Sequence, residues 1–298
     1  MRTSVLVLAG ATAIAVIAVA APASAINSYN SEPAPERTEV GAFVALYERD
    51  AENQLNPDRF RVVCSGTMVD DDTFLTAAHC TDDWPEGTRL FVSLEQDVEA
   101  KLTEALDGRT PAEAAAYALA HDYVVEADPH QDPAYPGNSA DAHDIGVLDF
   151  AARDRNPADI WDFTPATLPT PGQLSSLGGR ALDALPWTVV GFGTQEAARG
   201  PGGQTFPGSG VRLKAPLDFG ALNKTWVRLS MIEATDNGGA CYGDSGGPNF
   251  VDLGASGLLL AATTITGDTP CYATNVAYRL DTASARAFLV DYVALPAG

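Results

Sequence analysis

Positive charge is scarce in this chain: 18 lysine and arginine residues stand against 39 aspartate and glutamate, a formal net charge of −21. A surface of that sign repels phosphate backbones and anionic lipid, so nucleic-acid binding and polybasic membrane attachment are excluded as roles. Histidine and cysteine are scarcer still, with four of each. No Cys-x-x-Cys or His-Glu-x-x-His spacing occurs, which removes the usual zinc arrangements. Acidic turns such as Asp70 to Asp72 lack the spacing of an EF-hand and read as solvated turns. No metal and no cofactor are expected. Beyond residue 25 no stretch is long enough to span a bilayer, and no repeat recurs at a solenoid or propeller period.

What remains is the composition of a folded globular protein, 46% hydrophobic and 19% charged. Residues 1–25 have the form of a secretory signal: Met1 and Arg2, an apolar run from Val5 to Ala21, and the small-residue exit Ala23, Ser24, Ala25. Cleavage there predicts a mature start at Ile26, a secreted, extracellular protein and no membrane contact thereafter. In an exported chain the even set Cys64, Cys80, Cys241 and Cys271 points to two disulfides. Four cysteines allow three connectivities. Proximity favours Cys64 with Cys80 and Cys241 with Cys271, each closure worth roughly 3 kcal/mol in the loop-entropy picture.

Short apolar runs separated by turn residues extend from Gly41 to Leu280, among them Phe60 to Val63, Thr73 to Ala77, Ile145 to Phe150, Trp187 to Val190 and Leu258 to Ala262. This even punctuation reads as antiparallel β-structure, in two barrels or sandwiches. Pro111 to Ala120 reads as a surface helix, Glu126 to Ala142 as a long acidic loop and Arg199 to Gly210 as a Gly/Pro-rich surface loop. Asp281 or Thr282 can cap a terminal helix whose Phe288, Leu289, Tyr292 and Val293 share one side. The prolines of residues 157–171 mark the boundary between halves, dividing the mature chain into 26–160 and 161–298.

Chemistry concentrates at Gly243, Asp244, Ser245, Gly246, Gly247, Pro248, where a serine between glycines lets the backbone turn sharply and a carbonyl approach closely. The same stretch satisfies the Gly-x-Ser-x-Gly elbow of α/β-hydrolases. Serine becomes a nucleophile only when an imidazole takes its proton and a carboxylate fixes that imidazole's tautomer. All four histidines, His79, His121, His130 and His143, precede Ser245, so the Ser, acid, His order of an α/β-hydrolase is excluded. His79 follows an apolar strand and adjoins Cys80, whereas the other three sit in acidic loops. Asp144, immediately before the strand Ile145 to Leu148, is the leading acid, with Asp141 and Asp149 as competitors.

Thr76 to Cys80, Asp144 to Leu148 and Gly243 to Pro248, in that order, resemble the trypsin and chymotrypsin family of serine proteases. Subtilisin-type enzymes place the acid before the histidine and do not fit. The resemblance implies an all-β fold of two antiparallel Greek-key barrels with a C-terminal α-helix. It implies Ser245 as nucleophile, His79 as base then acid, Asp144 as the group orienting His79, and the Gly243 and Ser245 amides as oxyanion hole. It supports the two short-range disulfides, and Gly191, Phe192, Gly193 resembles the family's interbarrel segment. It also implies that a new N-terminal amine, for which Ile26 is the candidate, pairs with Asp244. Substrates would be proteins or peptides, bound by a monomer. Gly239, Ala240, Tyr242, Ile265, Thr266, Gly267 and Val276 would form the substrate pocket. With Gly239 where trypsin-like members carry an acid, no Lys or Arg selectivity is expected, although Asp236 is close enough in sequence to reach in. A noncatalytic binder on the same scaffold and a secreted esterase with the same triad are the competing functions.

Overall fold

The computed structural model describes residues 26–47 and 59–298; the signal assigned to residues 1–25 lies outside the described residues. A two-residue strand, β1 (Glu32–Pro33), is followed by the seven strands of the first sheet: β2 (Val40–Tyr47), β3 (Arg59–Met68), β4 (Thr73–Thr76), β5 (Arg89–Ser93), β6 (Val125–Glu126), β7 (Asp128–Gln131) and β8 (Gly146–Asp149). They pair antiparallel in the order β6-β5-β2-β3-β4-β8-β7. Further along come β9 (Trp187–Gly191), an exposed hairpin of β10 (Ala198–Gly200) and β11 (Gly203–Thr205), β12 (Leu213–Leu222), β13 (Trp226–Ser230), β14 (Pro248–Asp252), β15 (Leu258–Gly267) and β16 (Thr274–Arg279). The second sheet runs β1-β12-β13-β16-β15-β14-β9, and β12 also pairs with β9, which closes it into a barrel without free edges there. The expected pair of antiparallel barrel-like sheets is present.

Alternation explains the strands. In β12, Leu213, Ala215 and Leu217 are buried while Pro216 and Asp218 are exposed, the period of a sheet with one face on the core. Trp187, Val189, Leu229, Val251 and Leu259 meet them inside the second barrel. Phe43, Phe74, Leu90, Val92 and Leu148 fill the first. Between the two, Val190, Phe192, Phe250 and Tyr278 join a cluster with residues of both barrels and of the terminal helix.

Among the described residues, six short α-helices decorate the barrels: α1 (Ala78–Thr81), α2 (Val98–Leu106), α3 (Pro111–Ala120), α4 (Gln173–Leu177), α5 (Gly179–Asp183) and α6 (Ala283–Leu289). The expected helix from Pro111 is α3, started by a capping box between Thr110 and Glu113. The expected terminal helix is α6, capped by Thr282. Glu126 to Ala142 is not the uninterrupted loop the sequence suggested, because β6 ends at Glu126 and β7 falls within it. Strand β7 lies at the sheet edge, where Pro129 costs no ladder bond. Residues 32–33 pair with Leu213 and Lys214, so the start of the segment assigned to the first half sits on the second barrel.

Candidate active site

Strands β4 and β8 pair with Thr76 opposite Gly146. That register brings the start of α1, just past β4, beside the residue that enters β8. His79 Nδ1 lies 2.9 Å from Asp144 Oδ2, and the His79 backbone N–H donates to Asp144 Oδ1, also at 2.9 Å. A carboxylate only accepts, so Nδ1 carries the proton and Nε2 is left as an acceptor. Asp144 is buried and His79 partly exposed. The Cys64–Cys80 disulfide ties the residue after His79 to β3. Of the competing acids, Asp141 contacts His143 and Asp149 contacts His130.

Ser245 comes from the other barrel. His79 and Ser245 line one cleft of about 400 Å³. Among the described residues Ser245 and His79 share the cleft without a hydrogen bond between them. The Ser245 turn is pressed against the strand that leads to His79: a Cβ on Gly246, which has φ +77°, would lie 2.0 Å from Thr76 Oγ1 and 2.5 Å from Ser65 O. Only glycine fits that approach. Ser65 N–H donates to Ser245 O at 2.9 Å, and Ser65 Oγ donates to Gly243 O at 2.9 Å, so a buried serine of β3 holds both ends of the turn. The Tyr242 carbonyl accepts from Thr194 N–H at 2.7 Å. In a trans peptide the N–H opposes the C=O, so the Gly243 amide points the other way. Gly243 has φ +94°, and neither its amide nor that of Ser245 has a hydrogen-bond partner among the described residues. Two unengaged donors in one turn suit an oxyanion.

The family model named Trypsin matches residues 47–282. The chain belongs to the trypsin family of serine proteases. No curated protein matches it.

In this trypsin-family site Ala240, Tyr242, Ile265, Thr266 and Gly267 line the cleft with His79 and Ser245, whereas Gly239 and Val276 do not. Met231 occupies the space next to Gly239, where a Cβ would meet its sulfur at 2.1 Å. Asn275, rather than Val276, reaches the cleft. Side chains alternate along β16, and Gly267 is paired with Asn275 while Thr266 is paired with Val276. The Asn275 Nδ2 donates to Asn249 Oδ1 at 2.7 Å, and Asn249 Nδ2 donates to Thr264 Oγ1 at 2.9 Å, a buried polar floor that sequence reading missed. A bulge between Thr264 and Thr266 turns Ile265 out of the ladder beside the cleft. The Cys241–Cys271 disulfide closes one wall.

Among the described residues, one carboxylate lines the cleft, that of Asp268. Burial works to raise its pKa, but N–H groups of Tyr272, Ala273 and Thr274 outweigh that and hold it below the ordinary range. Asp236 lines a different cavity, with Asn30 and Lys214.

Asp244 is fully buried and accepts from Gly193 N–H and Cys241 N–H, both at 2.8 Å. Burial pushes its carboxyl up to about 7 against the pull of those two bonds, and no cation is bonded to it among the described residues. Ile26 is buried in the second barrel. The segment after it is docked on the pocket loops: Asn27 N–H donates to Gly239 O at 2.9 Å and Asn27 Nδ2 to Cys271 O at 2.8 Å.

Proposed function

We propose that the protein is a secreted serine endopeptidase that cleaves peptide bonds through an acyl-enzyme. The observation that carries this reading is the doubly bonded His79–Asp144 pair facing, across one cleft, a serine whose turn offers two unengaged amides. Ser245 Oγ attacks the scissile carbonyl as its proton passes to His79 Nε2. The oxyanion forms against the Gly243 and Ser245 N–H groups. On collapse the amine leaves with the proton from His79, and water, deprotonated by His79 in turn, releases the acid and regenerates Ser245. Asp144 keeps the imidazole oriented and stabilises its cationic form.

Small uncharged side chains fit the pocket best. Gly239 presents no carboxylate and Asn275 fills the floor, so Lys and Arg find no counter-ion at the base of the pocket, and the ionised Asp268 on its wall is held by the N–H groups of its own loop. Backbone pairing with Ile265 to Gly267 supplies affinity without side-chain choice. Export by a signal ending at Ala25 would free the Ile26 amine, and its natural partner is Asp244, the buried carboxylate without a cation. The enzyme is expected to act as a monomer, in keeping with a surface this acidic.

Digestion of a peptide library by the protein and by Ser245→Ala tests the proposal. Amide cleavage by the first and none by the second is the expected result. Ester turnover alone would make it an esterase, and no turnover by either would make it a binding protein; each outcome overturns the proposal.

A further inference from the structure

Directly behind Asp144 lies a second cluster of histidine and carboxylates that the proposed reaction does not use. His143 Nδ1 is 2.7 Å from Asp132 Oδ2, and His143 Nε2 is 3.8 Å from Asp141 Oδ2. Asp132 is buried, its other oxygen accepts the Ala134 N–H at 2.9 Å, and its own N–H donates to Ile145 O at 3.0 Å. Asp141 Oδ1 accepts the hydroxyl of Tyr278, on β16, at 2.7 Å, and Tyr278 Oη lies 3.1 Å from Ser284 Oγ of α6. Thr225, in the β12–β13 turn, donates to Ala140 O at 2.9 Å. The loop that delivers Asp144 is thus fastened to Asp132, just past β7, on one side and to the second barrel on the other.

The backbone makes the fastening matter. His143 has φ +50°, a left-handed conformation that a residue with a Cβ disfavours, and the Ile145 N–H donates to His143 O at 2.9 Å. Together these form a three-residue turn with Asp144 at its centre. Such a conformation persists only where the surroundings over-determine it. Here the surroundings are the two carboxylates on the His143 ring.

We propose that His143 is a positioning residue for Asp144: it locks the turn that presents the Asp144 carboxylate to His79 and, through Asp141 and Tyr278, keys it to the barrel that carries Ser245. This rests on Asp144 being the orienting carboxylate of a serine peptidase. Cutting the lock lets the carboxylate drift by a fraction of an ångström, which weakens its hold on the imidazolium formed in the reaction but leaves the substrate cleft unchanged.

The test is steady-state kinetics of His143→Ala, His143→Asn and Asp132→Asn on one cleaved peptide, with Ser245→Ala in parallel. His143→Ala is expected to lower kcat about ten- to hundred-fold with KM within about two-fold, and to move the acid limb of the kcat profile to lower pH. His143→Asn tolerates a left-handed backbone and donates to Asp132, so it should restore most of kcat. Asp132→Asn, which leaves the His143 side chain intact, should lose kcat to a similar degree and covers the case in which the alanine variant does not fold. Unchanged kcat in both His143→Ala and Asp132→Asn, or a loss that His143→Asn does not repair and that leaves the acid limb in place, overturns the proposal. Turnover by Ser245→Ala would instead overturn the peptidase reading beneath it.

Discussion

The Ser65 hydroxyl joins the two barrels at the Gly243 carbonyl, donating to it at 2.9 Å while accepting the Phe192 N–H at 2.9 Å. It takes no part in the proposed chemistry, yet it holds the Gly243–Asp244 peptide unit, which lies between the Gly243 and Ser245 amides proposed as oxyanion donors. Ser65→Ala removes one bond and leaves the buried Phe192 N–H without an acceptor, a loss of about 1–3 kcal/mol. The expected result is a kcat lowered about ten-fold with KM little changed. Initial-rate measurements on one peptide check it.

Asp244 sets a pH dependence whose sign follows from burial. Its folded pKa, raised to about 7, exceeds the ordinary 3.8, so the folded chain binds more protons than the unfolded chain between those values. Stability therefore falls as pH rises through that window and the penalty is complete above it. A free Ile26 amine offsets the penalty, and an extra residue ahead of Ile26 does not. Calorimetry of a protein beginning at Ile26 and of one that keeps Ala25 should give similar Tm values at pH 4 and a lower Tm for the longer form at pH 8. An equal gap at both pH values would contradict the pairing.

Asn275 governs the depth of the pocket. Asn275→Gly removes the side chain that faces Gly267 and should move the preferred side chain from small to medium or large, with about a ten-fold gain for the larger residue. A substrate library profiled with both proteins reads this directly; an unchanged profile would place selectivity elsewhere.

Arg212 is a buried cation between the barrels. Its Nε donates to Val40 O at 2.8 Å, its Nη1 to Gln96 Oε1 at 3.4 Å and its Nη2 to Leu94 O. Burial lowers its pKa to about 10, so it stays charged at neutral pH. Arg212→Met strands those acceptors and should cost on the order of 2–4 kcal/mol in urea denaturation.

The parts of the site that depend on local sequence were legible. The glycines about Ser245, the cysteine beside His79 and the strand after Asp144 each announce a backbone environment. What depends on pairing across strands was not. Whether Asn275 or Val276 faces the cleft is decided by the register of β16 against β15, which counting along one strand does not supply. Ser65 and Asp132 act over sequence separations of 178 and 11 residues, and nothing in their neighbours marks them. Strand β7, with Pro129 and His130, reads as loop by composition and is strand only because β8 offers it an edge.

In the proposed reaction Ser245 is activated by His79 and Asp144. A fluorophosphonate reagent, followed by intact-mass measurement and peptide mapping, tests this most directly. One adduct per chain is expected, on Ser245, formed at least about a hundred-fold more slowly in His79→Ala. Labelling of some other residue, or labelling of Ser245 at the same rate without His79, would contradict it.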